Sequence, residues 1–205
     1  LPLGISFITF QKIAFLVDVR VGTIRQFDAF DFLIFVFFFP QLIAGPIVHY
    51  REMVPQFNAA SHRLQASEVA VGLSLFAMGL FKKAVLADGI APYANLAFGA
   101  AEQGQSLGLV QAWLGALAYT LQIYCDFSGY TDIAIGIALL LGIRFPQNFD
   151  RPYSAVSIQE FWRRWHITLG RWMADHVYVP IARGGQASLA RLGVAVPPRG
   201  DPQGG

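Results

Sequence analysis

The residues from Phe161 to His166 are the part of the sequence best suited to chemistry. This stretch surrounds one histidine with two tryptophans and two arginines, namely Trp162, Trp165, Arg163 and Arg164. An unperturbed imidazole titrates near neutral pH, so we predict that His166 is a catalytic residue that handles a proton or orients a hydroxyl. The alternative is a structural imidazole that is hydrogen-bonded within an aromatic patch.

A second set of polar residues lies upstream within an apolar region: Asp126, Ser128, Tyr130 and Asp132. Asp126 and Tyr130 are one helical turn apart, as are Ser128 and Asp132, so in a helix each pair shares a face and would line a polar channel. The alternative is a helix end capped by Asp and Ser. We do not expect a serine-hydrolase triad, because Asp-Phe-Ser-Gly-Tyr is not a nucleophile elbow.

The basic residues of the motif have two interpretations. Arg163 and Arg164 would bind the phosphates of a donor on the cytosolic side, or anchor a helix at anionic lipid headgroups, which is the commoner role. His49, His62 and His176 have no partners at metal-ligand spacing. We therefore predict no metal site.

The composition indicates a protein embedded in lipid. Of the 205 residues, 55% are hydrophobic and 14% are charged, and the mean hydropathy is +0.46. A soluble domain carries about 25% charged residues. The net charge of +2 is too small and too dispersed to indicate a nucleic-acid partner. The single cysteine, Cys125, excludes an internal disulfide framework.

Four or five apolar segments are candidate membrane elements: 5–17, 30–48, 69–87, 107–124 and 133–143. The clearest of them is 107–124, because a transmembrane helix needs about 20 residues. Pro40 and Pro46 interrupt the second segment, which favours a helix from Phe30 to Phe39 followed by a kink or a re-entrant turn.

Loop charges predict the membrane orientation only in part. The segment 88–106 lacks Lys and Arg and is predicted to be extracytoplasmic, whereas 49–68 and 144–171 contain arginines and are predicted to be cytoplasmic. These positions conflict if 126–143 crosses the membrane separately from 107–124. A re-entrant segment would resolve the conflict.

The segment after Pro152 carries the strongest helix signal. Ser157 and Glu160 form a capping box, and Val156 and Phe161 are spaced as a hydrophobic staple. At about 100° per residue, one face of the helix collects a histidine and the aromatic residues. That face comprises Trp162, Trp165, His166, Leu169, Trp172, Met173 and His176. We predict one amphipathic interfacial helix that places His166 in a cavity walled by tryptophans.

Four stretches together resemble a known family: 1–11, 39–47, 124–132 and 148–172. They contain Leu-Pro-Leu-Gly-Ile-Ser-Phe, Phe-Pro-Gln-Leu-Ile-Ala-Gly-Pro-Ile, Tyr-Cys-Asp-Phe-Ser-Gly-Tyr-Thr-Asp, and Arg-Pro-Tyr followed by Phe-Trp-Arg-Arg-Trp-His. Their order and spacing are similar to those of the membrane-bound O-acyltransferase family, and specifically its bacterial alginate O-acetyltransferase branch.

This resemblance implies an all-α, polytopic integral membrane protein of the bacterial inner membrane, a helical bundle with re-entrant or broken helices. It implies transfer of an acetyl group from a cytosolic thioester such as acetyl-CoA toward an extracytoplasmic polysaccharide, completed by extracytoplasmic acetyltransferase partner proteins. Related branches acetylate cellulose or peptidoglycan, or transfer D-alanine toward teichoic acids. The resemblance also implies a function for His166, because related enzymes have a functional histidine at the matching place.

The sequence departs from the family pattern after Trp172. Met173-Ala174-Asp175-His176 replaces the usual Arg-Asp-Tyr, and the downstream Trp-His-Gly motif of the family is absent. We expect 1–182 to be a partial membrane domain and 183–205 a divergent Gly/Pro-containing tail, disordered or artefactual. A non-catalytic fragment is therefore one alternative. A transporter or channel subunit is another, although we find no inverted repeat in the hydropathy.

Overall fold

The computed structural model describes residues 5–58 and 65–182, and the regular elements in these ranges are all helical. Eight α-helices are found there: α1 Ile5–Arg20, α2 Ala29–Phe37, α3 Tyr50–Asn58, α4 Ala66–Leu80, α5 Asp88–Glu102, α6 Leu109–Leu140, α7 Ile158–Arg164 and α8 Ile167–Met173. Short 3₁₀ turns lie at Phe39–Gln41 and Pro152–Ser154, and π-helical segments at Phe81–Ala87 and Ala174–Tyr178.

Two long helices form an antiparallel hairpin. One runs from Ala66 to Glu102 through α4, the first π-helical segment and α5, and the other is α6. Both are long and apolar enough to span a membrane. At 1.5 Å per residue α6 is about 48 Å long, which exceeds the roughly 30 Å hydrocarbon core of a bilayer. The candidate segments 107–124 and 133–143 are not separate elements, because α6 contains residues 109–124 of the first and 133–140 of the second.

Glycines bring the backbones of α4 and α6 into direct contact. A Cβ atom at Gly79 would lie 2.5 Å from the carbonyl oxygen of Gly129, and one at Gly136 would lie 2.7 Å from that of Gly72. Any larger side chain at these four positions would push the helices apart. Small residues at helix interfaces permit this close approach in membrane proteins.

The hairpin brings Arg144, which follows α6, to the start of α4. After α6 the Arg144 guanidinium pairs with Glu68 near the start of α4, with Nη2 and Oε1 2.6 Å apart. The connection 103–108 at the other end contains no Lys or Arg. Because 109–140 is one helix, 126–140 is not a crossing separate from 109–124.

The three N-terminal helices pack an aromatic cluster against the end of α6. Phe15 and Phe35 both contact the ring of Tyr50, and Ala138 and Ile143 complete this core. Between α2 and α3 the chain makes a 3₁₀ turn and then a non-helical run whose residues 45–49 are all buried. The predicted helix followed by a turn is confirmed, although the helix already ends at Phe37.

After α6 the chain returns along the same helix. Phe149 packs edge to face on Phe127 with 5.0 Å between ring centroids, and the Tyr153 hydroxyl donates to the carbonyl oxygen of Thr120 at 2.7 Å. Because Thr120 precedes Leu140 by about 20 residues, this return covers about 30 Å. The segment that leads to α7 therefore lies beside the central part of α6.

The predicted continuous helix after Pro152 is wrong, since α7 and α8 are separated at His166. This residue has φ 46° and ψ 52°, the left-handed conformation. Loop atoms take the hydrogen bonds that a continuous helix would use: Asp150 N donates to Arg164 O at 3.0 Å, and Ile167 N donates to Asn148 O at 2.9 Å. The break thus comes from tertiary hydrogen bonds.

The start of α7 has the predicted Ser157 cap but lacks the predicted hydrophobic staple. Ser157 caps the helix, because its Oγ accepts a hydrogen bond from Glu160 N at 3.1 Å. Val156 is 94% exposed, so the predicted hydrophobic staple is wrong. The Glu160 carboxylate accepts instead from Val156 N at 2.9 Å, and this hydrogen bond lowers the pKa of Glu160.

Candidate functional site

His166 lies in an apolar enclosure between α6 and the loop that precedes α7. The residue is 7% exposed. Its ring meets the edge of Phe127 at 4.8 Å between centroids, and lies nearly parallel to Phe149 at 6.4 Å. Trp165 packs on Phe149 instead, and Trp162 is 61% exposed. The predicted tryptophan walls are therefore wrong, because the backbone leaves the helix at His166 and its neighbours no longer share its face.

One buried amide connects the imidazole to the rest of the site. Asn148 is fully buried, and its Oδ1 lies 3.0 Å from His166 Nδ1. The same oxygen accepts from Thr168 N at 3.1 Å and from Thr168 Oγ1 at 2.8 Å. Thr168 Oγ1 in turn accepts from Ile47 N at 3.0 Å. The site thus joins the turn before α3, the loop after α6 and the start of α8.

Burial controls the charge of the imidazole. The apolar surroundings disfavour the protonated ring, and this desolvation lowers the pKa of His166 from 6.5 to about 4. The ring is therefore neutral at physiological pH. A neutral imidazole donates from one nitrogen and accepts at the other, so it can receive a hydrogen bond from a substrate hydroxyl.

The carboxylates predicted to line a channel form ion pairs across the hairpin. Asp132 Oδ2 lies 2.6 Å from Lys82 Nζ, and Asp126 Oδ1 lies 2.6 Å from Lys83 Nζ. Lys83 also contacts Asp88 at 2.8 Å. Opposite charges at membrane depth lower each other's cost, and the pair of Lys82 with Asp132 is the more buried of the two. Asp126 precedes the Phe127 that contacts His166, yet its carboxylate faces Lys83.

The other polar residues predicted on α6 face the protein. Tyr130 donates from its hydroxyl to the carbonyl oxygen of Leu42 at 3.0 Å, which attaches α6 to the turn before α3. Ser128 is buried, and its hydroxyl has no hydrogen-bond partner among the described residues. The same holds for Thr131 one turn later. The predicted lining role of this helix face stays a prediction.

The two arginines of the motif have different surroundings. Arg164 pairs with Glu160 on its own helix and donates from Nη1 to Ser154 Oγ at 3.0 Å. Arg163 is exposed. Binding of donor phosphates or of lipid headgroups stays a prediction for both. Among residues 5–58 and 65–182, no group of three His, Cys, Asp or Glu side chains is arranged to hold a metal ion.

The sequence matches the family model described as MBOAT, membrane-bound O-acyltransferase family, over residues 4–195. The chain belongs to this family. It is 47% identical over 182 residues to a probable alginate O-acetylase of Pseudomonas aeruginosa, an alignment that covers 88% of this chain and 34% of the relative.

Two further relatives of the chain carry other names. A peptidoglycan O-acetyltransferase of Helicobacter pylori is 44% identical over 207 residues, covering 88% of this chain and 39% of the relative. A teichoic acid D-alanyltransferase of Bacillus subtilis is 30% identical, covering 86% and 45%. The chain thus spans less than half the length of these three relatives.

Two features of the site are missed by the sequence-based prediction. Asn148 and Thr168 hold His166, although neither is singled out among the candidate residues. His49, which is buried, stacks on His176 with centroids 5.5 Å apart, and His176 stacks on Trp172 at 5.1 Å. Burial lowers the pKa of His49. His62 and the tail 183–205 lie outside the described residues.

Proposed function

We propose that this protein is an O-acetyltransferase that moves an acetyl group from a cytosolic thioester, such as acetyl-CoA, toward a hydroxyl of an extracytoplasmic polysaccharide. Membership of the family supports acyl transfer. The identities support acetyl as the group, because relatives named for acetyl transfer share 44–47% identity, whereas those named for D-alanyl transfer share 30–32%.

One observation carries the proposal: a neutral, buried histidine fixed by hydrogen bonds at the side of a membrane-spanning hairpin. Transfer from a thioester forms a new C–O bond and breaks the C–S bond, and the attacking hydroxyl must lose its proton. His166 accepts a hydrogen bond from that hydroxyl and orients it toward the thioester carbonyl. Its enclosure by Phe127 and Phe149 excludes water, which would otherwise compete with the acceptor hydroxyl for the acetyl group.

The low pKa of His166 defines how the ring takes part. A group with a pKa of about 4 is a weak base, so it orients the hydroxyl in the ground state and takes the proton only as the new C–O bond forms. The neutral Asn148 amide contacts Nδ1 of the ring. The arrangement therefore favours hydrogen-bond acceptance over permanent charge.

The cellular setting belongs to the same proposal. We place the protein in the bacterial inner membrane as a multi-pass protein, with the arginine-containing end of the hairpin in the cytosol. Extracytoplasmic partner proteins would then complete transfer to the polysaccharide. Alginate is the first candidate acceptor and peptidoglycan the second, since relatives of both names have similar identity to the chain. The ion pairs of Asp126 and Asp132 argue against an ion-conducting subunit.

Replacement of the histidine tests the proposal. His166→Ala in the native full-length protein should lower acetylation of the polysaccharide by about 10²- to 10⁴-fold, the usual contribution of a proton-handling group. Ester-linked acetyl should be measured separately on alginate and on peptidoglycan, with D-alanyl esters as a third readout. Ile158→Ala on the neighbouring helix, at a side chain that is 72% exposed, is the matched control.

The amount of each variant in the membrane fraction must be equal for this comparison. Full acetylation by His166→Ala at normal membrane abundance would show that the ring is structural. Loss of D-alanyl esters with unchanged acetyl esters would move the assignment to D-alanyl transfer.

A further inference from the structure

We infer that Asn148 is a positioning residue that holds the neutral imidazole of His166 in the tautomer protonated on Nδ1. In this tautomer Nε2 carries the lone pair, so Nε2 is the atom that accepts the hydrogen bond of the substrate hydroxyl. The inference deepens the proposed function, and its catalytic meaning rests on that function. The proton on Nδ1 follows from the hydrogen bonds around Asn148.

The orientation of the Asn148 amide is fixed by a backbone group. Thr168 N can only donate, and it lies 3.1 Å from the atom assigned as Asn148 Oδ1. Rotating the amide by 180° would place the NH₂ group against this N–H and oppose two donors. The atom facing Thr168 N is therefore the oxygen.

The Thr168 hydroxyl supports the same assignment from a second direction. Ile47 N is another obligate donor, and it donates to Thr168 Oγ1 at 3.0 Å. The hydroxyl proton is then available for Asn148 Oδ1, 2.8 Å away. Two backbone N–H groups on separate elements thus make Asn148 Oδ1 an acceptor.

An acceptor beside the imidazole determines where its proton lies. Asn148 Oδ1 is 3.0 Å from His166 Nδ1, so this nitrogen must donate and carries the hydrogen. Asn148 is fully buried and His166 is 7% exposed, so water is a poor substitute for the amide. A hydrogen bond at one ring nitrogen sets the chemistry of the other, as with metal-bound and catalytic histidines generally.

The opposite tautomer would be unsuitable for the proposed step. With hydrogen on Nε2, the ring would present a donor to the substrate hydroxyl and could not accept its proton. In a serine protease, replacing the group that fixes the histidine tautomer lowers kcat by about 10⁴-fold while the geometry is kept. Asn148 corresponds in role to that orienting group, with a neutral amide in place of a carboxylate.

Three variants separate positioning from packing. Asn148→Leu keeps the branched shape of the side chain but removes the acceptor, and Asn148→Asp keeps an acceptor oxygen in the same place. Asn95→Leu makes the first substitution at an exposed position of α5 and serves as the control. Membrane abundance and thermal unfolding of each purified protein report on folding.

The direct readout is the protonation of each ring nitrogen, measured by ¹⁵N NMR on histidine-labelled protein in detergent. Signals of His166 are those that disappear in His166→Gln. We expect the wild-type ring to be protonated on Nδ1, and Asn148→Asp to keep this state. Asn148→Leu should populate the tautomer protonated on Nε2 and lower kcat of acetyl transfer by about 10²- to 10⁴-fold with a smaller change in KM.

A wild-type ring protonated on Nε2 overturns the inference, and it does so even if Asn148→Leu fails to accumulate in the membrane. An unchanged tautomer and unchanged kcat in a folded Asn148→Leu protein overturn it as well. Failure of the proposed function gives a different result: His166→Ala would then retain full acetylation, whichever ring nitrogen is protonated.

Discussion

Acid should destabilise the fold through His166 by an amount that follows from its burial. Desolvation lowers the pKa of this ring from 6.5 to about 4, whereas the unfolded chain binds the proton near 6.5. Between these pH values the unfolded state binds more protons, so stability falls as pH falls. At 1.36 kcal/mol per pKa unit, the loss reaches about 3 kcal/mol near pH 4. Above pH 6.5 the contribution is constant.

The assay is thermal unfolding of the purified protein in detergent from pH 7.5 to pH 4. His166→Gln is the matched variant, because its amide can still donate to Asn148 Oδ1 but does not titrate. The burial of His49 also lowers its pKa, so both proteins lose stability in acid through that residue. The difference between wild type and variant isolates His166.

Between pH 7.5 and pH 4 we expect the free energy of unfolding to fall by about 3 kcal/mol less in the variant than in the wild type. For a chain of this size this corresponds to roughly 6–12 °C in Tm. Parallel pH profiles for the two proteins would refute the reasoning. They would mean that the pKa of His166 in the folded protein lies near its ordinary value, as for a solvated ring.

Two further predictions concern the hairpin, with unfolding in detergent and membrane abundance as measurements. Gly129→Leu should strongly destabilise the protein because its backbone touches Gly79, whereas Gly99→Leu, which has open space, should change little; equal effects would exclude close helix packing. Lys82→Met should cost about 3 kcal/mol by leaving Asp132 unpaired, and adding Asp132→Leu should recover most of this loss. If the double variant is no better, the pair does not couple the helices.

The two apolar helices of the hairpin were predictable from the sequence, but the full length of α6 was not. Apolar length identifies both helices, yet Asp126 and Asp132 lower the local hydropathy and divide α6 into two apparent segments. Their partners, Lys82 and Lys83, lie more than 40 residues away, so a window of local sequence cannot show the compensation. A search for opposite charges in adjacent apolar segments would have paired them, because an isolated charge at membrane depth is costly.

The break at His166 shows a different limit. Capping and periodicity describe local preference, and they correctly place the start of α7 at Ser157. The end of α7 is determined by Asn148 and Asp150 in the preceding loop. These residues hydrogen-bond to backbone groups on either side of His166, at Ile167 and Arg164. Local pattern therefore predicts that His166 is turned toward protein, but not which residues surround it. The family motif that begins at Asn148 was the available signal for its partner.

Backbone strain distinguishes a positioned histidine from one that merely fills space. Among the described residues, the non-glycine residues with positive φ are Ile43, Arg151 and His166. Each lies in one of the three segments that are joined by the hydrogen bonds of Thr168 to Ile47 and Asn148. Such conformations cost about 1–3 kcal/mol each and persist only where surrounding contacts enforce them. The strained backbone at His166 itself, enforced by hydrogen bonds on both sides, supports a positioning role for this ring over space filling.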